Sequence, residues 1–407
     1  MTDQPASQYQ ADTFECPQCG APRMDYDPAT GGLKCPQCGH TQAIAAEQKA
    51  VQEQDLTAAL SDAGKARGYG REMKSVKCDS CGATTQFDPT VASTVCPFCG
   101  SPQVLEQKPD PNTLQPESVV PFQITSDRAY QNYKQWLGRG FFRPRDVLSR
   151  SGTVDLAGVY LPFWTFDAYA DSRWTAESGD YYYVTEHYTT TENGKTVTKT
   201  RQVRKVRWYP TSGAHADTYD DVLVPGTTSG DQAMLRKIQP FDTSRLIPYQ
   251  PEYLSGWGAE AYRIPLADAW KNGQAIIQSE EYAKCDRQVP GDTHRNLNVR
   301  TRFSQTTFKH VLLPVFLANY RYNGKPYHFM VNGQSGEVQG QAPVDWVKVI
   351  IVVVIVLILL ALAGFAVYLI DQGSSASSSG LLWPAQAWLQ SMLAAPMACA
   401  PPWGLGL

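Results

Sequence analysis

Residues Tyr181 to Trp208 read YYYVTEHYTTTENGKTVTKTRQVRKVRW. Two runs rich in Tyr, Thr and Val flank Asn193-Gly194, a dipeptide that signals a type I′ hairpin because both central residues of that turn need positive φ. The signal recurs at Asn323-Gly324, between Asn319-Tyr320-Arg321-Tyr322 and Tyr327-His328-Phe329-Met330-Val331. Helical patterns interrupt the strands at Asp127 to Leu137, Asp231 to Ile238 and Leu266 to Cys285, so residues 119–343 read as a β-rich α+β domain. Within it, Val159-Tyr160-Leu161-Pro162-Phe163-Trp164 echoes Val311-Leu312-Leu313-Pro314-Val315-Phe316. So short a match either marks two related β-units or is a coincidence.

The first hairpin also holds the one concentrated basic stretch: Lys195, Lys199, Arg201, Arg204, Lys205 and Arg207, with no acid between Lys195 and Tyr209. Strand alternation puts Lys199, Arg201, Lys205 and Arg207 on one face. That face suits contact with anionic lipid headgroups or nucleic acid, and equally suits a solvated edge strand protected by charge. Gly194-Lys195-Thr196 ends like a phosphate-binding loop, but Thr189 stands where the first glycine is required. The tripeptide also sits at a hairpin rather than at a strand-to-helix junction, so no ATPase is indicated.

Working toward the N-terminus, residues 106–118 carry Pro109, Pro111 and Pro116 and read as a linker, with a new domain beginning near Val119. Before it stand four Cys-x-x-Cys pairs, Cys16/Cys19, Cys35/Cys38, Cys78/Cys81 and Cys96/Cys99, each followed by a glycine. Fifteen residues separate Cys19 from Cys35 and fourteen separate Cys81 from Cys96, the spacing of paired zinc knuckles. Cys78 follows Cys16 by 62 residues and Cys96 follows Cys35 by 61, so one unit is present twice. Residues 1–44 and 75–105 therefore read as two zinc ribbons, each with a structural zinc ion and no open coordination position for catalysis. Between them, residues 45–74 read as a helical spacer, with Leu56, Ala59, Leu60 and Ala63 at helical spacing.

Charge argues about what the ribbons bind. From Phe14 to Ile44, Arg23 and Lys34 oppose Glu15, Asp25 and Asp27, and from Ser75 to Leu105, Lys77 opposes Asp79 and Asp88, so each of these stretches carries one net negative charge. Zinc with four thiolates adds about two more, a poor match to a phosphate backbone, which makes protein the expected partner and nucleic acid the weaker one.

The 407-residue chain has a net charge of −3, which excludes a global polyanion binder, and its length suits two to four structural units. Every Lys and Arg lies at or before Lys348, just ahead of the apolar run Val349 to Ile370. At about 1.5 Å per residue a helix over residues 347–370 is long enough for a hydrocarbon core of about 30 Å. Trp346 and Lys348 suit its interfacial end. The positive-inside rule then predicts residues 1–348 in the cytoplasm, with the Ser-, Pro- and Trp-rich tail 371–407 outside the inner membrane. Met1 to Tyr9 is polar and offers no signal-peptide core.

The remaining candidates are weaker. The six histidines show no metalloprotease spacing, and no Gly-x-Ser-x-Gly elbow accompanies them. His215 with Asp217, Asp220 and Asp221 could hold a cation but reads more simply as a solvated acidic turn, and Cys285 reads as part of a helix. No enzyme is expected.

Cys16-Pro17-Gln18-Cys19-Gly20 with its partner knuckle, Gly68-Tyr69-Gly70-Arg71-Glu72, Gly158 to Trp164, Arg201-Gln202-Val203-Arg204 and Phe308 to Pro314 together resemble bacterial TFIIB-type zinc-ribbon membrane proteins, from about Phe14 to Ile370. Members often carry the label primosomal protein N′ or replication-restart helicase PriA, although a helicase needs the nucleotide-binding loop missing here. The resemblance implies the eight cysteines as zinc ligands and a membrane-anchored protein. It also implies partners among membrane scaffolds of the SPFH and phage-shock types. The tail after Asp371 is longer and richer in Trp and Pro than that family leads one to expect. The function expected is a non-enzymatic adaptor recruiting protein partners to the membrane; the alternative is a membrane-tethered nucleic-acid-binding or replication-associated factor.

Overall fold

Three strands dominate the computed structural model, each about 30 residues or longer where globular strands average five or six. The structure describes residues 14–45, 51–61, 74–80, 82–87, 96–98, 101, 104–107, 115–150, 154, 156–192 and 195–374. Its elements fall into two units, Met1–Pro343 and Val344–Leu407.

In the first unit, β1 (Asp25–Asp27), β2 (Gly32–Lys34) and β3 (Thr41–Gln42) form a small antiparallel sheet around the first cysteine module. Next come β4 (Gln54–Asp55) and α1 (Leu56–Ser61), then β5 (Lys74–Cys78), β6 (Thr84–Phe87) and β7 (Val104–Gln107) of the second module. The main body runs through β8 (Ser118–Val119), α2 (Ser126–Gly138), α3 (Val147–Arg150), β9 (Ala157–Glu192), β10 (Lys195–Pro225) and α4 (Gln232–Lys237). It closes with β11 (Ile247–Pro248), β12 (Gly258–Glu260), α5 (Leu266–Gln288), β13 (Thr293–Tyr322), β14 (Lys325–Asn332) and β15 (Val338–Gly340). The class is α+β and sheet-rich, and the three helical patterns of the sequence coincide with α2, α4 and α5.

The central sheet explains the echo between Val159–Trp164 and Val311–Phe316. The two segments lie on β9 and β13 and pair antiparallel with each other, Leu161 opposite Leu313. Around that point the chain is duplicated as β8-α2-β9-β10 and β12-α5-β13-β14, and the copies interlock. β8 pairs in parallel with β13 of the other copy, and β12 pairs in parallel with β9. Gly226 N donates to Pro162 O and Gly333 N donates to Pro314 O, both at 2.8 Å. In turn Gly226 O accepts from the backbone of Arg263 and Ile264, and Gly333 O from that of Gln123 and Ile124. Two related units, rather than a coincidence, account for the match.

Phe122, Tyr160, Trp257 and Phe316 fill the centre, with the Phe122 and Trp257 rings stacked 4.2 Å apart and Tyr133 of α2 stacked 3.9 Å from Phe329. From there β9, β10 and β13 run outward as a ribbon covered by α5. Leu266, Ala269, Gly273, Ile277, Glu281 and Cys285 form the buried stripe of α5, three or four residues apart, and Gly273 lets it approach Phe166 closely. β13 stops pairing at Thr293 opposite Gly179. Beyond that point β9 and β10 continue alone, from Asp180 opposite Arg207 to Glu192 opposite Lys195. Thirteen residue pairs make an arm of about 43 Å at about 3.3 Å per residue. Asn193 and Gly194 lie outside the described residues, whereas Asn323 (φ 50) and Gly324 (φ 78) form the type I′ turn their sequence predicts.

Neither cysteine module hangs from this body as a separate bead. Met24, Tyr26 and Leu33 of the first are buried in one core with Phe122, Tyr160 and Leu254. Tyr26 Oη donates to Phe122 O, Trp257 Nε1 to Tyr26 O, and Ser255 Oγ to Met24 O. The second module joins the main sheet, because β6 pairs with β12, which pairs with β9. The segment expected as a spacer is also woven in: β4 pairs with Thr307 and Phe308, and Leu56 is buried beside Trp164 and Phe166. The linker ends in the sheet at Ser118.

In the second unit, α6 (Trp346–Ser374) is apolar all round. Asp345 Oδ1 caps it, accepting from Val347 N and Lys348 N. Trp346–Tyr368 is 23 residues, with an 18-residue stretch of mean hydropathy 3.4, long and apolar enough to cross a membrane. The tail from residue 375 lies outside the described residues.

Candidate functional site

Each knuckle is a tight turn closed by backbone hydrogen bonds. Cys16 N donates to Ala21 O and Gly20 N to Cys16 O; Cys35 N donates to His40 O and Gly39 N to Cys35 O. Gly20 (φ 69) and Gly39 (φ 75) take the left-handed conformation that lets the chain turn back beneath the thiols, which is why a glycine follows each pair. The small sheet brings the two turns face to face, and Cys16, Cys19, Cys35 and Cys38 place their Sγ atoms within 4.8 Å of one another. Cys16 and Cys38 are 3.6 Å apart, as are Cys19 and Cys35. A tetrahedron with metal–sulfur bonds of about 2.3 Å has edges of about 3.8 Å, so this donor set fits one four-coordinate thiophilic ion. The backbone N–H of Cys38, pointing at Cys35, helps to lower that thiol to about 7. Cys16 and Cys35 are buried and Cys19 and Cys38 exposed, so one side of the centre is part of the core and the other meets solvent.

The second module repeats the turn. Cys78 N donates to Ala83 O, Gly82 N to Cys78 O, and Cys96 N to Ser101 O, with Gly82 at φ 74. Cys78 and Cys96 are buried with Phe98, Met234 and Met330. Cys81 and Cys99 lie outside the described residues.

The arm brings together the four cations singled out in the sequence. Lys199, Arg201, Lys205 and Arg207 share a face of β10, opposite Tyr188, Glu186, Tyr182 and Asp180 of β9. Glu186 serves two of them, 3.3 Å from Arg201 and 3.2 Å from Lys205, and those contacts hold its carboxyl below the usual range. Arg207 lies over the Tyr182 ring, and on the opposite face Arg204 lies 4.3 Å over Tyr181. Six cations against Asp180, Glu186 and Glu192 leave the arm a net charge of +3.

His215, Asp217, Asp220 and Asp221 do not form an acidic turn. All four lie on β10, whose register shifts between Tyr219 and Val222, and the structure divides them between two clusters. His215 Nδ1 is 3.1 Å from Glu281, a fully buried carboxylate on α5 that also accepts from Tyr219 Oη at 2.8 Å. Lys284 Nζ reaches Asp217 at 2.6 Å and holds its carboxyl low. Asp221 instead pairs with the buried Lys309 at 2.8 Å, near Glu53 and Asp167. His215, Asp217 and Glu281 bring their ligand atoms within 4.8 Å of one another, as do Glu53, Asp167 and Asp220, so either group could hold a cation, although Lys284 and Lys309 offset part of the negative charge of each. Glu281 and Lys284 escaped the sequence reading because they lie more than sixty residues from their partners; the only signal was a glutamate on the apolar stripe of α5.

Fold and centre define a sheet-rich α+β unit with a four-cysteine metal-binding geometry, in a chain that also carries one long apolar helix. By sequence it is similar to a protein of Bacillus subtilis (strain 168) with the name "Uncharacterized protein YdjG", 26% identical over 347 residues, covering 83% of this chain and 92% of that protein. No family model matches the chain. No solved structure matches it either.

Proposed function

We propose that this is a non-enzymatic, membrane-anchored adaptor in which two structural zinc ions staple the body and the β9–β10 arm presents the partner-binding surface. The observation that carries the reading is the arm itself: a two-stranded ribbon with exposed tyrosines and a positive excess, beyond the reach of β13 and α5. Cys16, Cys19, Cys35 and Cys38 would hold one zinc, and Cys78, Cys81, Cys96 and Cys99 the other. Closed four-thiolate centres supply folding energy and leave no position for a reacting water. Because both modules are built into the body, the reading moves the contact surface from the ribbons to the arm. α6 would be the single anchor, with the body on the cytoplasmic side by the positive-inside rule. Membrane scaffolds of the SPFH and phage-shock types remain the partners the family resemblance suggests.

The alternative, a membrane-tethered nucleic-acid binder, draws on the same cations and tyrosines, since such grooves combine basic tracks with aromatic stacking. Gel shifts of the full-length protein in nanodiscs separate the two. The adaptor reading predicts no retardation of single- or double-stranded nucleic acid at 0.15 M salt. Retardation that weakens steeply with salt and disappears in Lys199→Glu/Arg201→Glu/Lys205→Glu/Arg207→Glu would establish the alternative.

A further inference from the structure

The loop after α2 holds two adjacent phenylalanines out of the fold inside a cationic frame. Phe141 is 70% exposed and Phe142 43%, their rings edge-on at 5.1 Å. The geometry that displays them is built. Arg143 folds back so that its guanidinium lies 4.1 Å over the Trp136 ring and donates to the Trp136 carbonyl, and a Cβ at Gly140 would collide with that side chain. Exposed Arg139 and Arg145 flank the pair. From Lys134 to Leu148 there are four cations against Asp146, and Asp146 accepts from Tyr322 Oη at 2.9 Å.

We propose that this loop docks on the anionic surface of a phospholipid bilayer, with Phe141 and Phe142 entering at headgroup depth and Arg139 and Arg145 facing lipid phosphates. An apolar pair rimmed by arginines suits the boundary between acyl chains and anionic headgroups, where each side chain meets its preferred medium. A cavity of about 450 Å³ beside the loop, between Asn132, Arg139, Arg143 and Val338, offers room for a headgroup. Chain continuity favours a bilayer as the occupant. Tyr133 of α2 packs against Tyr320, whose hydroxyl donates to Gln341 O at 2.8 Å, and Gln341 precedes the first residue of α6 by five residues. The chain that leads to the apolar helix thus leaves the first unit beside Tyr320, the residue against which α2 packs. The inference rests on α6 lying in a membrane and is independent of what the arm binds.

The test uses full-length protein in nanodiscs of phosphatidylcholine alone or mixed with phosphatidylglycerol. A benzophenone side chain is placed in turn at Phe141, at exposed Tyr282 on α5 and at Leu360 in α6, and lipid adducts are counted by mass spectrometry after illumination. The proposal expects adducts at Leu360 in both discs. At Phe141 it expects at least about tenfold more adduct in the anionic discs, falling to the Tyr282 background in Arg139→Glu/Arg145→Glu. Adducts at Leu360 with only background at Phe141, or adducts of Phe141 with protein instead of lipid, would overturn the docking. Absence of lipid adducts at Leu360 would remove the anchor and the proposal with it.

Discussion

Cys16 and Cys35 each belong to two structures at once, a thiol tetrahedron and a core shared with Met24, Tyr26 and Phe122. Loss of the proposed zinc would therefore reach well beyond its ligands. Cys16→Ser is expected to lower bound zinc by one per chain and to destabilise the whole Met1–Pro343 unit by several kcal/mol, read as a fall in Tm of about 10 °C or more. A local loss of order around Cys16 with an unchanged Tm would argue against the shared core. Glu260 makes a second residue-scale prediction. Burial pushes its carboxyl up to about 7, only partly offset by the Ser229 hydroxyl. In the unfolded chain the carboxyl titrates near 4.5, so between pH 4.5 and 7 the folded state binds more protons. This group's contribution is accordingly most favourable below about pH 4.5 and is lost as pH rises through 7, by roughly 3 kcal/mol. Urea midpoints at pH 5 and pH 8 should differ less in Glu260→Gln than in wild type. Glu117, raised to about 7 by its own burial, is expected to carry much of the remainder.

At the scale of elements, the duplicated units make their own prediction through Gly226 and Gly333. The two glycines make equivalent hydrogen bonds, but a Cβ at Gly333 would lie 2.6 Å from the Phe122 ring, while one at Gly226 would meet Pro162 O at 3.0 Å. Gly333→Ala should cost about 1–3 kcal/mol and more than Gly226→Ala, because aromatic packing on both sides leaves Phe122 no room to yield; equal chemical-denaturation midpoints would contradict this. Sequence made short-range features legible: the Asn323-Gly324 turn, the helices α2 and α4, and the knuckles with their glycines. α5 was legible as a helix, but its stripe of Gly273, Glu281 and Cys285 conceals which face is buried. The length of β9, β10 and β13 was not legible. Near the body, Phe308 to Ala318 of β13 is buried on both faces and from Val311 onward reads as a continuous apolar run, whereas the outer strands alternate, so one strand looks like two kinds.

For the whole molecule, spacing identified the candidate metal ligands, but how the modules are held was hidden. Contacts such as Tyr26 to Phe122, or β6 to β12 to β9, join residues about 100 or more positions apart, and no local pattern records them. Among the described residues the arm extends beyond this integrated body, and its chemistry sets its expected behaviour. Binding through Lys199, Arg201, Lys205 and Arg207 should weaken as salt rises from 0.05 to 0.5 M, since exposed charges are screened over about 10 Å at 0.1 M. The variant with all four cations replaced by Glu should keep the wild-type Tm, because the arm packs against neither β13 nor α5; a large fall in Tm would mean these residues serve folding instead. The most direct measurement is affinity purification of the full-length protein from detergent-solubilised membranes, with and without nuclease, comparing wild type with that arm variant by mass spectrometry. The account predicts nuclease-resistant protein partners that are lost with the arm cations. Partners retained by the variant, or lost from wild type on nuclease treatment, would contradict it.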